Sequence, residues 1–358
     1  MKVVRFDPAP VFAGFGVLTP AGVGVAGLLA RRGETRPGPG RGSEPRRPIE
    51  TGIAVDLPAL CGQTPLRFRR MDRFGVLGHA AAHLALAGMP ASSRPAPPAA
   101  DPSRSGAAAD PSWGVMIGSR LACVGSIARH ARDLADQPLA DLSPSVFVRT
   151  VANAVNGDIS IGWGLGGPSE TFVTGWTAGA EAVLAAAAAL QEGRARWILA
   201  GAVEAPDHAR GVAGSGRPRE TAGQEAAEQE PDSILVEGAA IAVMGRGSGA
   251  QASGPLRLRA CLRGHDPQQR FSLTAALDAI GPMPLGTVIV ANTIRTDLLR
   301  RIEEEAGGRP VLHLPRLVGE LGAAGAAVAA ALAQEMPEGV LVIARDPAGG
   351  TAVLALSR

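Results

Sequence analysis

Lysine is almost absent from this chain of 358 residues: Lys2 is the only one, and the other basic side chains are arginines. Its scarcity excludes a phosphate-loop nucleotide site and an internal Schiff base, since both need a lysine amine. Cysteine is scarce too. Cys61, Cys123 and Cys261 are odd in number and far apart, with no CxxC pair, so neither a disulfide framework nor a zinc knuckle is indicated. No stretch reaches the roughly 18 consecutive apolar residues of a membrane span. The opening MKVVRFDPAPVFAGFG lacks the apolar run and cleavage site of a secretory leader. A formal net charge of +2, spread along the chain, leaves no electrostatic footprint for nucleic acid or an acidic membrane. A soluble cytoplasmic protein that carries no metal or cofactor is expected.

What is present is ample apolar material, 46% of residues, enough for one large α/β unit or two fused halves. Three segments, 33–49, 90–112 and 206–232, are rich in Pro, Gly, Ser and charge, and read as loops. Between them strands and helices alternate. After residue 254 the order is clean: strand LRLRACLR, helix FSLTAALDAIG, strand TVIVAN, helix TDLLRRIEEEAG, strand PVLHL and helix GAAGAAVAAALAQEM. VLVIARDPAGGTAVLALSR closes the chain as a hairpin around a DPAGG turn. The same βαβαβαββ order runs through the first part, with longer insertions, so an internal duplication is expected, with halves at 1–250 and 251–358. Near-continuous apolar strands imply sheets covered by helices on both faces, an α/β class.

Six local patterns occur in one order: GFGVLTPAG at 14–22, RRMDRF at 69–74, the segment 143–175, LAGAVEA at 199–205, VEGAAIAVM at 236–244 and ELGAAGA at 320–326. Together they resemble the β-ketoacyl synthase family, and the resemblance implies a thiolase-like fold of two duplicated halves in αβαβα layers. Most of these residues, the glycines and Asn153 among them, are read as shaping turns.

The resemblance also marks what is missing. Active synthases carry a cysteine where a strand gives way to a buried helix, its thiol activated by the helix N-terminus. Here that junction reads FVTGWTAGAEAV, and the cysteine position falls on Trp176, whose indole is only a hydrogen-bond donor. Thr174 and Thr177 beside it are expected as helix-capping groups. The first family histidine falls on Asn292 in ANTIRT. The second falls on Gly319 in LPRLVGELGAAG, and a shift of one residue would bring Glu320 there. No catalytic residue is therefore expected at these degenerate positions; Trp176, Thr177, Asn292 and Glu320 are expected to line any remaining pocket or acyl tunnel. His79 and His83 have the i, i+4 spacing of a metal pair, but without a third ligand they are read as surface or boundary residues.

The resemblance implies a dimer built through the strand near the nucleophile position, with Thr171, Phe172, Val173 and Thr174 at the interface. It leads us to expect a chain-length-factor-like, non-catalytic subunit that pairs with an active ketosynthase in fatty acid or polyketide-type biosynthesis and shapes or stabilises its acyl site, with an acyl carrier protein as a secondary partner. Two alternatives stand beside it: an enzyme of altered acyl chemistry, such as an acyl-carrier-protein decarboxylase or acyltransferase, and a homodimeric acyl-binding protein without turnover.

Overall fold

The computed structural model describes residues 2–34, 52–62, 68–95, 109–206, 235–246, 255–266, 268 and 270–358. Of the three expected loops, 35–49, 96–108 and 207–232 lie outside the described residues. The helix Ala26–Glu34 runs into the first, and a 3-10 turn, Ala91–Ser93, opens the second.

Among the described residues twelve strands form one connected sheet. They are β1 (Lys2–Arg5), β2 (Val11–Thr19), β3 (Gly22–Val23), β4 (Trp113–Gly118), β5 (Ser169–Phe172), β6 (Trp197–Glu204), β7 (Gly238–Gly245), β8 (Arg257–His265), β9 (Leu285–Val290), β10 (Val311–His313), β11 (Gly339–Arg345) and β12 (Gly350–Ser357). Two five-stranded blocks share one plan. The first runs β5-β4-β6-β7-β2 and the second β10-β9-β11-β12-β8. In both blocks the first three strands are mutually parallel and the last two pairings antiparallel. The duplication expected from element order is thus present down to strand direction. β2 and β8 meet at the single pair Val11↔Arg257, and β1, which the sequence pattern did not announce, pairs antiparallel with residues 260–263 of β8.

Strand periodicity sorts the side chains into layers. Along β6, Ile198, Ala200 and Ala202 join the central core, whereas Leu199 and Val203 join an outer cluster with the helices Arg73–Ala87 and Ala154–Trp163. Along β11 and β12, Val340, Val342, Leu354 and Leu356 point to the centre. Leu341, Ile343, Val353 and Ala355 point outward, against the helices Leu273–Ile280 and Thr296–Glu305. Between the two blocks lie two alanine-rich helices, Ala178–Gln191 and Ala324–Ala333, with most of their residues wholly buried. Alanine has the highest helix propensity, and its small side chain lets helix and sheet backbones approach closely. The layers read helix, sheet, helix pair, sheet, helix, the thiolase-like arrangement.

Several motif residues owe their identity to partners in this frame. Arg73 of RRMDRF makes a bidentate ion pair with Glu237 of VEGAA, at 2.8 and 2.6 Å, and Asp72 caps its helix by accepting from Gly75 N–H at 2.8 Å. Arg149 pairs with Asp158 at 2.5 Å. Asn153, by contrast, stands at a helix N-cap without a side-chain hydrogen bond, and the buried amide in that region is Asn156, which donates to Glu170 O at 2.8 Å. Among the described residues no helix is long and apolar enough to cross a membrane.

Candidate functional site

After β5 the chain makes one 3-10 turn, Gly175–Thr177, and enters the first central helix. Gly175 has φ +79°, and a Cβ there would lie 2.2 Å from Asp346 Oδ2, so only glycine fits. The Trp176 N–H donates to the same Asp346 oxygen at 3.0 Å. Its half-buried indole lies under the Arg120 guanidinium, 4.8 Å from ring centroid to carbon. Asp346 belongs to the DPAGG turn between β11 and β12, where it accepts from Ala348 N–H at 2.7 Å. A carboxylate from the second half thus serves the N-terminus of the first half's helix. The threonines do not cap it as the sequence suggested. Thr174 makes no side-chain cap bond, and the Thr177 hydroxyl donates instead to Glu181 Oε1 at 3.0 Å. That i, i+4 contact competes with capping.

The reverse contact also exists. Glu204, the last residue of β6, is wholly buried and accepts from the backbone N–H of Arg120, of Leu121 at 3.3 Å and of Ala323 at 3.2 Å. Ala323 opens the second central helix. Each half therefore ends its fourth strand near a carboxylate that holds the other half's helix N-terminus, where the helix dipole favours negative charge.

Asn292 follows β9 and is wholly buried. Its amide donates to Gly322 O at 2.6 Å and to Glu320 Oε1 at 3.4 Å. Glu320, also wholly buried, further accepts from Thr293 N–H at 2.6 Å and Gly322 N–H at 2.8 Å. Gly319 has φ +87°, a backbone region that a histidine enters only with strain. Of the two candidate positions, it is Glu320 that meets Asn292. Burial pushes both Glu204 and Glu320 up, against the pull of their N–H donors, to about 7.

A cleft of about 910 Å³ runs along the first central helix, with Thr174, Thr177, Glu181, Asp346, Arg263 and Lys2 on its walls. Of the four residues expected at a pocket, Thr177 lines this cleft; Trp176 beside it packs against Arg120, and Asn292 and Glu320 are buried in their hydrogen-bond knot. Thr171 and Phe172 end β5 half-buried, and Val173 and Thr174 continue beyond it exposed. Among the described residues β5 pairs with β4 alone and lies at the end of the sheet, with its other edge unpaired there. Sequence reasoning missed Asp346 and Glu204 as site residues. Glu204 sits inside LAGAVEA, but nothing in its own segment marks a partner at Ala323.

The three cysteines are buried and unbonded to one another, and none is at the Trp176 turn. Cys261, inside β8, has its thiol pushed up to about 12 by burial, the reverse of a nucleophile. His79 is neither a surface nor a boundary residue. It is wholly buried, 6.0 Å from the Trp163 ring in a stacked pair and 5.5 Å from Phe68 edge-on, because its helix turns that face to the outer core. Among the described residues no group of three His, Cys, Asp or Glu side chains is placed to hold a metal.

Residues 47–249 match the model of the β-ketoacyl synthase N-terminal domain. A stretch of 106 residues is 31% identical to the mitochondrial 3-oxoacyl-[acyl-carrier-protein] synthase of Arabidopsis thaliana; it is 30% of this chain and 23% of that relative's length. Among solved structures, the ishigamide ketosynthase/chain length factor superposes with a TM-score of 0.73 at 19% identity, over 98% of this chain and 99% of the other. The AntDE:AntF complex, a type II polyketide synthase acyl-carrier protein with its ketosynthase bound to the hexaketide, gives 0.74 at 20% identity, over 99% of each chain. A β-ketoacyl synthase from Burkholderia phymatum STM815 gives 0.65 at 17%, over 98% and 99%. At such identities the superpositions establish the thiolase-type ketosynthase fold.

Proposed function

The chain belongs to the β-ketoacyl synthase family, and from that premise we propose that it is a non-condensing, chain-length-factor-like subunit that pairs with an active ketosynthase. One observation carries this reading. The turn that would present a nucleophilic thiol at the helix N-terminus presents Trp176, its N–H engaged by Asp346 and its ring covered by Arg120. An indole forms no thioester, so covalent acyl transfer has no acceptor there. The loss extends to Asn292 and Glu320, which bond to each other where histidines would be needed. The pairing surface we assign is the free edge of β5 with Thr171, Phe172, Val173 and Thr174. An open sheet edge offers unpaired N–H and C=O groups, and exposed apolar residues nearby in the chain, Phe147, Val148, Val151 and Ile161, suit burial against protein. Residues 1–250 and 251–358 are assigned as the two halves, and an acyl carrier protein is the further partner of the assembled pair.

Co-expression with an active ketosynthase and its acyl carrier protein tests the reading. The expected outcome is a stable one-to-one heterodimer, with no condensation by this chain alone. Trp176→Cys is expected to leave condensation undetectable, because the thiol would gain no histidine partners. Turnover of a malonyl carrier protein by the isolated wild-type chain would overturn the proposal. A chain that forms only homodimers in the presence of the ketosynthase would overturn the pairing.

A pH dependence arises from the same site. A carboxyl at about 7 in the folded state, against an ordinary 4.5, adds stability that is complete below pH 4.5 and is lost as pH rises through 7. Each of Glu204 and Glu320 contributes on the order of 3 kcal/mol to that total loss across the window. Denaturant titrations from pH 5 to 8 are expected to show falling stability in the wild type, and a flatter profile in Glu320→Gln.

A further inference from the structure

We propose that Glu320 is a built-in ligand, its carboxyl group filling a nest of donors formed by Thr293 N–H, Gly322 N–H and the Asn292 amide. The donors come from two separate stretches, the segment after β9 and the turn before the second central helix, and converge on one group. Thr293 N–H lies 2.6 Å from Oε2, while Gly322 N–H and Asn292 Nδ2 lie 2.8 and 3.4 Å from Oε1. Glu320 and Asn292 are both wholly buried, which strengthens the bond between them and those around them. The Asn292 side chain is fixed by its second bond, to Gly322 O at 2.6 Å, which aims the amide at the carboxylate. Backbone N–H groups at a helix N-terminus make a ready site for a carboxylate, and here the chain supplies that carboxylate itself. The turn of Glu320 is pinned on the other side by Val236 N–H, which donates to Glu320 O at 2.9 Å, so the side chain is held in place from its own backbone.

The consequence is a degenerate centre that is closed by its own occupant. A carbonyl or carboxylate oxygen from outside finds the donors already used, which deepens the non-condensing reading by giving it a physical block in addition to a missing thiol. Removing the side chain beyond Cβ, as in Glu320→Ala, deletes a CH₂–carboxyl unit the size of acetate and takes the Glu320 acceptor from Thr293 N–H and Gly322 N–H, while Asn292 keeps its bond to Gly322 O. Such a site is expected to take up free acetate.

The test is a thermal-unfolding titration of wild type, Glu320→Ala and Glu320→Gln with sodium acetate, sodium chloride keeping ionic strength constant. Acetate is expected to raise the midpoint of Glu320→Ala in a saturable way, by about 5 °C at 100-fold excess over its dissociation constant. Wild type and Glu320→Gln, whose side chains fill the nest, are expected not to respond, and butyrate is expected not to replace acetate. Should Glu320→Ala fail to fold, its refolding yield with and without acetate gives the same reading. No acetate-specific effect by either measure, or an equal effect on wild type, overturns the proposal. The pairing reading is decided separately, by heterodimer formation, so failure of one leaves the other standing.

Discussion

Gly179→Ala is expected to prevent stable folding, although it places the best helix former in a helix. Gly179 is the second residue of the first central helix, and a Cβ there would stand 2.2 Å from Ala323 O and 2.9 Å from Ala202 Cβ. Ala323 lies at the start of the second central helix, so the obstacle is backbone and has no rotamer to retreat into. The propensity gain of Ala over Gly is about 1 kcal/mol. Accommodating the methyl means separating two helices that are both clamped by sheets and carboxylates. We expect a cost of about 3 kcal/mol or more, typical of severe overpacking, and the clash therefore wins. The measurement is soluble yield and urea midpoint. Gly157→Ala provides the control: it is also inside a helix, but a Cβ meets nothing within 4 Å, and it is expected to stabilise by about 0.5–1 kcal/mol. Equal behaviour of the two variants would show that the central helices are not in such close contact.

The second large effect is expected on pairing. The carbonyls of Pro168 and Phe172 accept from Val115 and Ser119 of the β4 stretch. Strand alternation then turns the N–H of Thr171 to the free edge. Thr171→Pro removes that outward donor and leaves the β4 ladder intact, since proline is tolerated on an edge strand. Its fold is expected to survive, with a thermal midpoint within a few degrees of wild type. Capture of a partner ketosynthase is expected to fall at least about 100-fold, because the strand can no longer be continued across the interface. Val173→Arg, at a residue 50% exposed, is expected to weaken pairing as well, by burying an unpaired charge. Undiminished capture by both variants in sedimentation or pull-down would remove β5 from the interface.

Much of the fold was legible because its signals are local. The alanine-rich runs at 178–191 and 324–333 mark helices, near-continuous apolar runs mark β6, β11 and β12, and the DPAGG turn marks the last hairpin. Capping was misread at Thr174 and Thr177 for the complementary reason. A threonine before a helix is a good cap by local rules, and only the fold places Asp346 close enough to take Trp176 N–H instead. The histidine pair was likewise read from spacing alone. Helical spacing puts His79 and His83 on one face, but whether that face meets water or Trp163 depends on what packs there.

The sequence by itself determined that no thiol stands at the strand-to-helix turn, since Trp176 is a fact of residue identity, and that the element order repeats. Tertiary structure alone decided how the emptied centre is filled. Trp176 meets a carboxylate 170 residues away, Glu204 reaches a helix start 119 residues on, and Asn292 and Glu320 close on each other across 28 residues. Contacts at such separations leave no periodicity in the chain. They exist because two blocks of the same strand order bring two helix N-termini, with N–H groups that no helical turn satisfies, up to carboxylates: Asp346 at the wall of the cleft, and Glu204 and Glu320 in the buried core.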